Sequence, residues 1–214
     1  MLPIVIITYK RPQYLQRTIW SFIEQNKNNL DIFSLRILVQ GGLDKGTAEV
    51  IEKWKEYFDF IDVREKNEGC AQGYNISMQE ALKLNTPYLL FLQDDWESKE
   101  SLSNYLPEIF DLMNTDKTIG YIRLRNVNAK VWKTNVISKK PVKWDRTSKH
   151  ILVSNAHFTF NPIILRCDVV EQMGVLKGEY HAQQKYHELE LQVAQLDASC
   201  FCHIGDERVS DWIK

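Results

Sequence analysis

Residues Tyr88-Leu89-Leu90-Phe91-Leu92 run without a break into Gln93-Asp94-Asp95-Trp96-Glu97. A short continuous apolar run, bounded by Thr86-Pro87 on one side and by charge on the other, reads as a strand buried on both faces. Asp is among the poorest strand formers, and a buried carboxylate is costly unless something pairs with it. Two of them at the carboxyl end of a central strand ask for a cation. In open α/β sheets that end is also where ligands bind. A local alternative remains open, since Asp95 can equally cap a following helix.

The flanking segments alternate in period. Ile4 to Thr8 is apolar, and Arg11-Pro12 then opens a helix with Leu15, Ile19, Phe22 and Ile23 on one face. Leu35 to Val39 predicts a second strand closed by Gly41-Gly42, followed by a helix marked by Val50, Ile51, Trp54, Tyr57 and Phe58. Phe60 to Val63 predicts a third strand. Asn67-Glu68-Gly69 turns into a helix that runs to about Leu84. After the strand at 88–92, Leu102, Leu106, Ile109, Leu112 and Met113 mark a helix, and Ile119 to Leu124 another strand. This β-α-β-α order implies a mostly parallel, doubly wound sheet with helices on both faces over about the first 125 residues.

The remainder is less periodic. Residues 126–150 are polar and basic, with Lys130, Lys133, Lys139, Lys140, Lys143 and Lys149 beside Trp132 and Trp144, and are expected to form an acceptor-side flap. His157 to Phe160 predicts a strand and Cys167 to Met173 a short helix. Gln183 to Leu196 predicts a longer helix with Tyr186, Leu189, Val193 and Leu196 on one side. Ser199 to Ile204 predicts a last strand, ending in His203-Ile204-Gly205-Asp206. The expectation is a single domain over 1–214, with a nucleotide-binding half (1–125) and a smaller acceptor-side half (126–214).

Composition excludes several classes. Lys+Arg 27 against Asp+Glu 28 leaves a formal charge of -1, so no global field argues for nucleic acid or an acidic membrane. No apolar stretch approaches the roughly 20 residues of a membrane span, and no basic n-region precedes an apolar one at the N-terminus. The four cysteines (70, 167, 200, 202) are scattered, which fits reduced thiols and a cytoplasmic location. Cys200-Phe201-Cys202-His203 has no second cysteine pair at zinc-ligand spacing.

Pro3-Ile4-Val5-Ile6-Ile7-Thr8-Tyr9-Lys10-Arg11-Pro12, Asn67-Glu68-Gly69 with Gly73-Tyr74-Asn75, Leu92-Gln93-Asp94-Asp95, Thr159-Phe160-Asn161-Pro162 with Ile163-Ile164-Leu165-Arg166, and His203-Ile204-Gly205 occur in that order along the chain. Together they resemble the landmarks of GT-A-fold, family-2-like glycosyltransferases. The compact size is similar to that of glycosyltransferase domains of large algal viruses, which would place the protein in a host-cell cytoplasm, and the chain can be one domain of a longer protein. The resemblance implies a Rossmann-like α/β fold and transfer of a hexosyl group from a nucleoside-diphosphate sugar, with UDP the expected nucleotide, to a glycan or other hydroxyl acceptor with inversion. Two departures stand out. Gln93 occupies the first position of the usual Asp-x-Asp motif, and Gln40-Gly41-Gly42 replaces an Asp-Asp-Gly-Ser segment.

The chemistry of such a transfer assigns roles. A divalent cation neutralises the diphosphate leaving group, and oxygen ligands with an imidazole suit Mn²⁺, or Mg²⁺ in a harder site. Asp95 and His203 are the expected metal ligands, with Asp94 nearer the ribose or sugar. Tyr9 is expected to flank the base, Arg11 to contact phosphate, and Thr8 to lie at the same edge. Gln40 can read a uracil edge, Gly69 and Gly73 permit close backbone approach, and Asn75 follows them on the helix. Glu188, with Glu190 as second choice, is the expected base for the acceptor hydroxyl; an ordinary charged helix face is the plainer use of both. His157 either lines the acceptor pocket or is a core histidine. Two other readings stay open. One is a non-catalytic nucleotide- or glycan-binding domain, suggested by Gln93. The other is a sugar nucleotidyltransferase, which would want glycines in the segment Thr8-Tyr9-Lys10-Arg11-Pro12 and finds none.

Overall fold

The computed structural model describes residues 1–125, 133–160 and 162–205; Lys130, Trp132, Asn161 and Asp206 lie outside the described residues. The first half follows the predicted alternation: β1 (Leu2–Thr8), α1 (Pro12–Asn26), β2 (Phe33–Val39), α2 (Lys45–Trp54), β3 (Phe58–Val63), α3 (Gly69–Leu82) and β4 (Tyr88–Gln93). Local chemistry sets the boundaries. Pro12 opens α1, where its missing N–H costs nothing. Asp44 caps α2 by accepting from the Thr47 backbone N–H at 3.1 Å.

Beyond β4 come β5 (Trp96–Ser98), α4 (Leu106–Thr115), β6 (Ile119–Arg123), β7 (Trp144–Arg146), β8 (Ile151–Ser154), β9 (Ile163–Arg166), α5 (Cys167–Met173), α6 (Glu179–Glu188), β10 (Gln192–Leu196) and β11 (Phe201–His203). Nine strands form one sheet in the order β3-β2-β1-β4-β9-β6-β10-β8-β7, and β5 and β11 form a separate antiparallel pair. β1, β2, β3, β4, β6 and β10 run the same way, whereas β9 is antiparallel to both β4 and β6, and β8 to β10. The sheet is thus mostly parallel, with β9, from the second half of the chain, inserted beside the central strand of the first.

Helices cover both faces. On one, Leu15, Ile19 and Phe22 of α1, Val50 and Ile51 of α2, and Leu106, Ile109 and Met113 of α4 pack on Ile4, Ile6, Leu90 and Leu92. On the other, Tyr74, Met78 and Ala81 of α3, with Val170 of α5 and Tyr186 of α6, pack on Ile7, Leu89 and Phe91. Alternate residues of β4 therefore enter different cores, which is why its sequence reads as an unbroken apolar run. No helix among the described residues is long and apolar enough to cross a membrane.

Three sequence expectations are corrected. Gln183–Leu196 is not one helix: α6 ends at Glu188, Glu190 takes a left-handed backbone (φ 55°), and the chain continues as β10. Residues 193–196 are all buried, paired with β6 on one side and β8 on the other, so their helical spacing was incidental to two-sided burial. His157–Phe160 forms no strand and joins no ladder. Its backbone groups use side-chain partners instead: the His157 carbonyl accepts from Tyr121 Oη and Arg123, the Phe158 carbonyl accepts from Gln183, and the Phe160 N–H donates to Glu179. Of residues 126–150, expected to form an acceptor-side flap, only 133–150 are described, and these do not lie over the carboxyl edge of β4. They supply β7 and pack on β8, with Asn135 donating to the Asn155 carbonyl.

His157 is buried, and burial, reinforced by the neighbouring Arg123 charge, lowers its pKa to about 4. The folded state therefore stays unprotonated where an unfolded histidine, near pH 6.5, already binds a proton. Stability is expected to fall by on the order of 2 kcal/mol as pH drops from about 6.5 to about 4. His157→Gln should flatten that part of a melting-temperature profile against pH, and an unchanged slope would exclude His157 as its source.

Candidate functional site

At the carboxyl end of β4 the acid pair is folded back against the end of β1. The Asp94 N–H donates to the Ile7 carbonyl at 3.0 Å, and Thr18 Oγ1 donates to the Asp94 carbonyl at 2.7 Å. The Asp94 side chain is fully buried. It accepts from Thr8 Oγ1 at 2.6 Å and pairs with Arg11 Nη2 at 2.5 Å. The second arm of the same guanidinium donates to Asp95 Oδ2 at 2.8 Å. Arg11 is thus a bidentate bridge across two carboxylates of adjacent residues, which is the cation that the strand's sequence demanded. Burial pushes Asp94 up to about 6, with Arg11 and Thr8 opposing and the Asp95 charge adding to it. For Asp95, burial is outweighed by hydrogen bonding to His203 and by the Arg11 charge, so its carboxyl sits below the usual range.

His203 arrives through the small sheet. After Asp95 the chain forms β5 rather than a capped helix, and the β11 pairing sets His203 opposite Trp96. The Ile204 N–H donates to the Asp95 carbonyl at 2.9 Å, which fixes this register. His203 Nε2 then lies 3.6 Å from Asp95 Oδ2, and its ring packs on Trp96 with centroids 4.7 Å apart. The Arg125 guanidinium also lies over Trp96, at 4.9 Å. Gly205 leaves the space beside this pair open: a Cβ there would stand 2.7 Å from Asp95 Oδ2 and 2.8 Å from His203 Nε2. One carboxylate oxygen and one imidazole nitrogen facing a cradle that only glycine permits fit a hard or borderline divalent ion. Two ligands each about 2.1 Å from an ion can be at most about 4.2 Å apart, which the observed spacing satisfies. No group of three or more His, Cys, Asp or Glu side chains suited to a metal occurs among the described residues. The protein would supply two ligands and leave the remaining positions to phosphate oxygens and water, as is usual for Mg²⁺-type sites.

Beside the acid pair lies a cleft of about 190 Å³ lined by Thr8, Tyr9, Arg11, Gln40, Asn67 and Gly69, together with Ile7, Cys70 and Gln93. Tyr9 is 41 % exposed, and its ring lies against the backbone of Gly41, where a Cβ would meet ring carbon Cε2 at 2.4 Å. Gly41 also has φ 76°, so both sterics and backbone exclude a side chain under the tyrosine. Gln40 accepts from the Glu68 N–H at 3.1 Å and donates to the Gly69 carbonyl at 3.4 Å. Its amide therefore holds the loop before α3 instead of standing free to read a base. Asn67 Oδ1 accepts from the Gly69 N–H at 3.0 Å in the same turn.

Three further expected contacts are not made. A Cβ at Gly73 would meet Gln40 Nε2 at 2.7 Å, so this glycine makes room for Gln40. Asn75 is buried and spent on Leu176, donating to its carbonyl and accepting from its N–H, both at 2.8 Å. It anchors the turn that leads to α6. Asp94, too, lies beneath the site, aimed at Thr8 and Arg11 and fully buried.

Glu188 and Glu190 lie far from the cleft. They immediately precede β10, which runs parallel to β6 and hence to β4, so they are at the amino edge of the sheet while Asp94-Asp95 are at the carboxyl edge. At about 3.3 Å per residue the separation along the strands is roughly 20 Å. Glu188 pairs with Lys185 in solvent, and Glu190 lines a separate cavity of about 340 Å³ with Asn135, His157 and His187. The carboxylate that α6 does bring to the carboxyl edge is Glu179, in its first turn, where Oε1 accepts from the Phe160 N–H at 3.1 Å. The Cys70 thiol, at the cleft, has its pKa raised by burial, with Gln93 acting against this and the charges of Glu179 and Asp95 adding to it. Glu179, Trp96, Cys70 and Arg125 were not singled out from sequence. Trp96 and Cys70 directly follow Asp95 and Gly69, which were, but nothing in the spacing of the four marks them.

By sequence, no curated protein matches the chain. By structure it is similar to TarS 1-349 of S. aureus in complex with UDP (TM-score 0.62, 14 % identity, covering 99 % of this chain and 63 % of that one). It is also similar to the mannosyltransferase PcManGT from Pyrobaculum calidifontis in complex with GDP-Man and Mn²⁺ (TM-score 0.59, 12 % identity, 90 % of this chain and 56 % of that one). A third similar structure is GalNAc-T7 with UDP, GalNAc and Mn²⁺ (TM-score 0.66, 15 % identity, 95 % and 43 %). The chain thus spans less than two thirds of the length of each, and at these identities the likeness concerns the GT-A fold. The sequence profile of Glycosyl transferase family 2 matches residues 4–174, from β1 through the cleft and the acid pair to the end of α5. The chain belongs to glycosyl transferase family 2.

Proposed function

We propose that this domain transfers a sugar from a nucleoside diphosphate, UDP being the first candidate, to an acceptor hydroxyl, with a divalent cation held by Asp95 and His203. The observation that carries the reading is convergence: six residues expected at a nucleotide site line one cleft, and that cleft opens beside the Asp95–His203 pair. The similar structures carry UDP, or GDP-Man, two of them with Mn²⁺, which supports the same donor class.

In this reading Tyr9 offers its exposed face to the base, and the α3 loop, braced by Gln40, borders the ribose. Arg11 supplies the positive charge nearest the diphosphate. When bound, the cation would neutralise the negative charge that develops on the leaving diphosphate. Glu179 takes the role first assigned to Glu188: it stands at the carboxyl edge, already oriented by the Phe160 N–H, and can accept the acceptor hydroxyl proton as that oxygen attacks the anomeric carbon. One carboxylate for the proton and an opposed cation centre for the leaving group suit a single displacement with inversion.

A thermal-shift panel of UDP, GDP and other nucleotides, each with and without Mn²⁺, tests the donor site. A nucleotide at about 100 times its Kd adds roughly 2.7 kcal/mol, or about 2–4 °C for a chain of this size. The expected result is a shift for UDP that grows with Mn²⁺; no metal-dependent shift with any nucleotide contradicts the scheme. Glu179→Gln should lower kcat by about 10²- to 10⁴-fold with nucleotide affinity unchanged, as for loss of a general base. Glu188→Gln and Glu190→Gln should each stay within about twofold of wild type; a large loss in either would return the base to the amino edge. Metal-dependent binding without turnover of any donor would instead identify a binding domain.

A further inference from the structure

We infer that Arg11 is a resident counter-ion that holds the cation position against Asp95 until a nucleotide diphosphate draws it away, so that the divalent ion binds weakly to the nucleotide-free protein. This rests on the metal reading of Asp95 and His203 given above. One atom is shared between the two contacts. Asp95 Oδ2 is the oxygen that faces His203 Nε2, at 3.6 Å, and it is also the oxygen that receives Arg11 Nη1, at 2.8 Å. A divalent ion between Asp95 and His203 and a guanidinium on the same oxygen compete for its lone pairs and repel each other.

Arg11 is built to move, whereas Asp94 is not. The arginine side chain is 25 % exposed and lines the nucleotide cleft, while the Asp94 side chain is 0 % exposed and anchored by Thr8 and by its own backbone. The fork has two arms with different attachments. Nη2 holds the buried Asp94, whose charge cannot be left unpaired, and Nη1 holds Asp95. Rotation of the guanidinium about its Asp94 contact can free Asp95 Oδ2 without leaving a buried carboxylate alone. An incoming diphosphate gives the released Nη1 a new anionic partner. The nucleotide then raises metal affinity twice over, by contributing its own oxygens and by removing the competing cation. The metal, by linkage, raises nucleotide affinity by the same factor.

Only the second contribution depends on Arg11, so the test reads metal binding in the absence of nucleotide. Mn²⁺ titrations followed by the EPR signal of free ion, with and without UDP, are compared for wild type, Arg11→Gln and Arg11→Lys. Lysine keeps a charge for Asp94 but cannot span both carboxylates, so it preserves the measurement if the glutamine variant does not fold. The expected result is tenfold or greater tightening of nucleotide-free Mn²⁺ binding in Arg11→Lys, with a smaller further gain on adding UDP than wild type shows. Equal nucleotide-free affinity in wild type and the folded variant overturns the inference while leaving the metal site standing. No Mn²⁺ binding in any protein, even with UDP, overturns the metal reading and the inference with it. His203→Ala should abolish the tightening in the Arg11→Lys background; its persistence would place the ion elsewhere and also overturn the inference.

Discussion

The bidentate bridge from Arg11 to Asp94 and Asp95 is the interaction on which the rest of the site depends. Two carboxylates at the end of a strand buried on both faces would each be expensive alone. The guanidinium pairs with both, sharing its one positive charge between them, and it reaches them because Pro12 starts α1 immediately after Arg11 and so holds it near the end of β1. Thr8 from β1 and Thr18 from α1 complete the anchoring. Strand β1, helix α1 and strand β4 are thus joined by polar contacts at the edge where the sheet's parallel strands end. The same contacts define what remains available there: Asp94 is consumed by the fold, and Asp95 is left half-committed.

From that half-committed oxygen the site extends in two directions. Towards the small β5/β11 sheet, register does the positioning. The Ile204 N–H binds the Asp95 carbonyl, Trp96 supports the His203 ring, and Gly205 keeps the space beside them clear. Towards β2 and α3, Gln40 braces the loop at Asn67–Gly69, and Gly41 lets Tyr9 lie flat on the backbone. Gln93 fits this arrangement without a charge. Its amide donates to Cys70 Sγ at 3.1 Å, so the residue that departs from the family pattern joins β4 to the start of α3. A third carboxylate at that position would add negative charge next to Asp94 and Asp95, which already share one guanidinium.

The first half of the fold was legible because its segments obey simple periods: apolar runs for strands buried on both faces, a one-sided stripe for α1, and Pro or Gly where elements begin. The closeness of Asp95 to His203 and much of the cleft lining were also legible, through landmarks spread across the chain in family order. What failed was local pattern without long-range partners. Tyr186, Leu189, Val193 and Leu196 keep helical spacing, yet Val193 to Leu196 is a strand, because its neighbours β6 and β8 are nearly 70 and 40 residues away in sequence. That error carried Glu188 and Glu190 into the site. Topology removes them, since residues just before a parallel strand stand at the wrong edge. Glu179 was missed because the expected helix began at Gln183, which left this glutamate outside any element, whereas α6 starts at Glu179 itself. Asn75 and Gly73 were assigned to the ligand when they serve the packing of α3.

In the proposed function one cation site, formed by Asp95 and His203, abuts a nucleotide cleft at the carboxyl edge of the sheet. A crystal structure of the protein grown with UDP and Mn²⁺, with anomalous diffraction recorded for manganese, tests it most directly. The expected result is an anomalous peak within bonding distance of Asp95 Oδ2 and His203 Nε2, with the uracil beside Tyr9 and the diphosphate between them. A peak away from that pair, or a nucleotide outside the cleft, would contradict it.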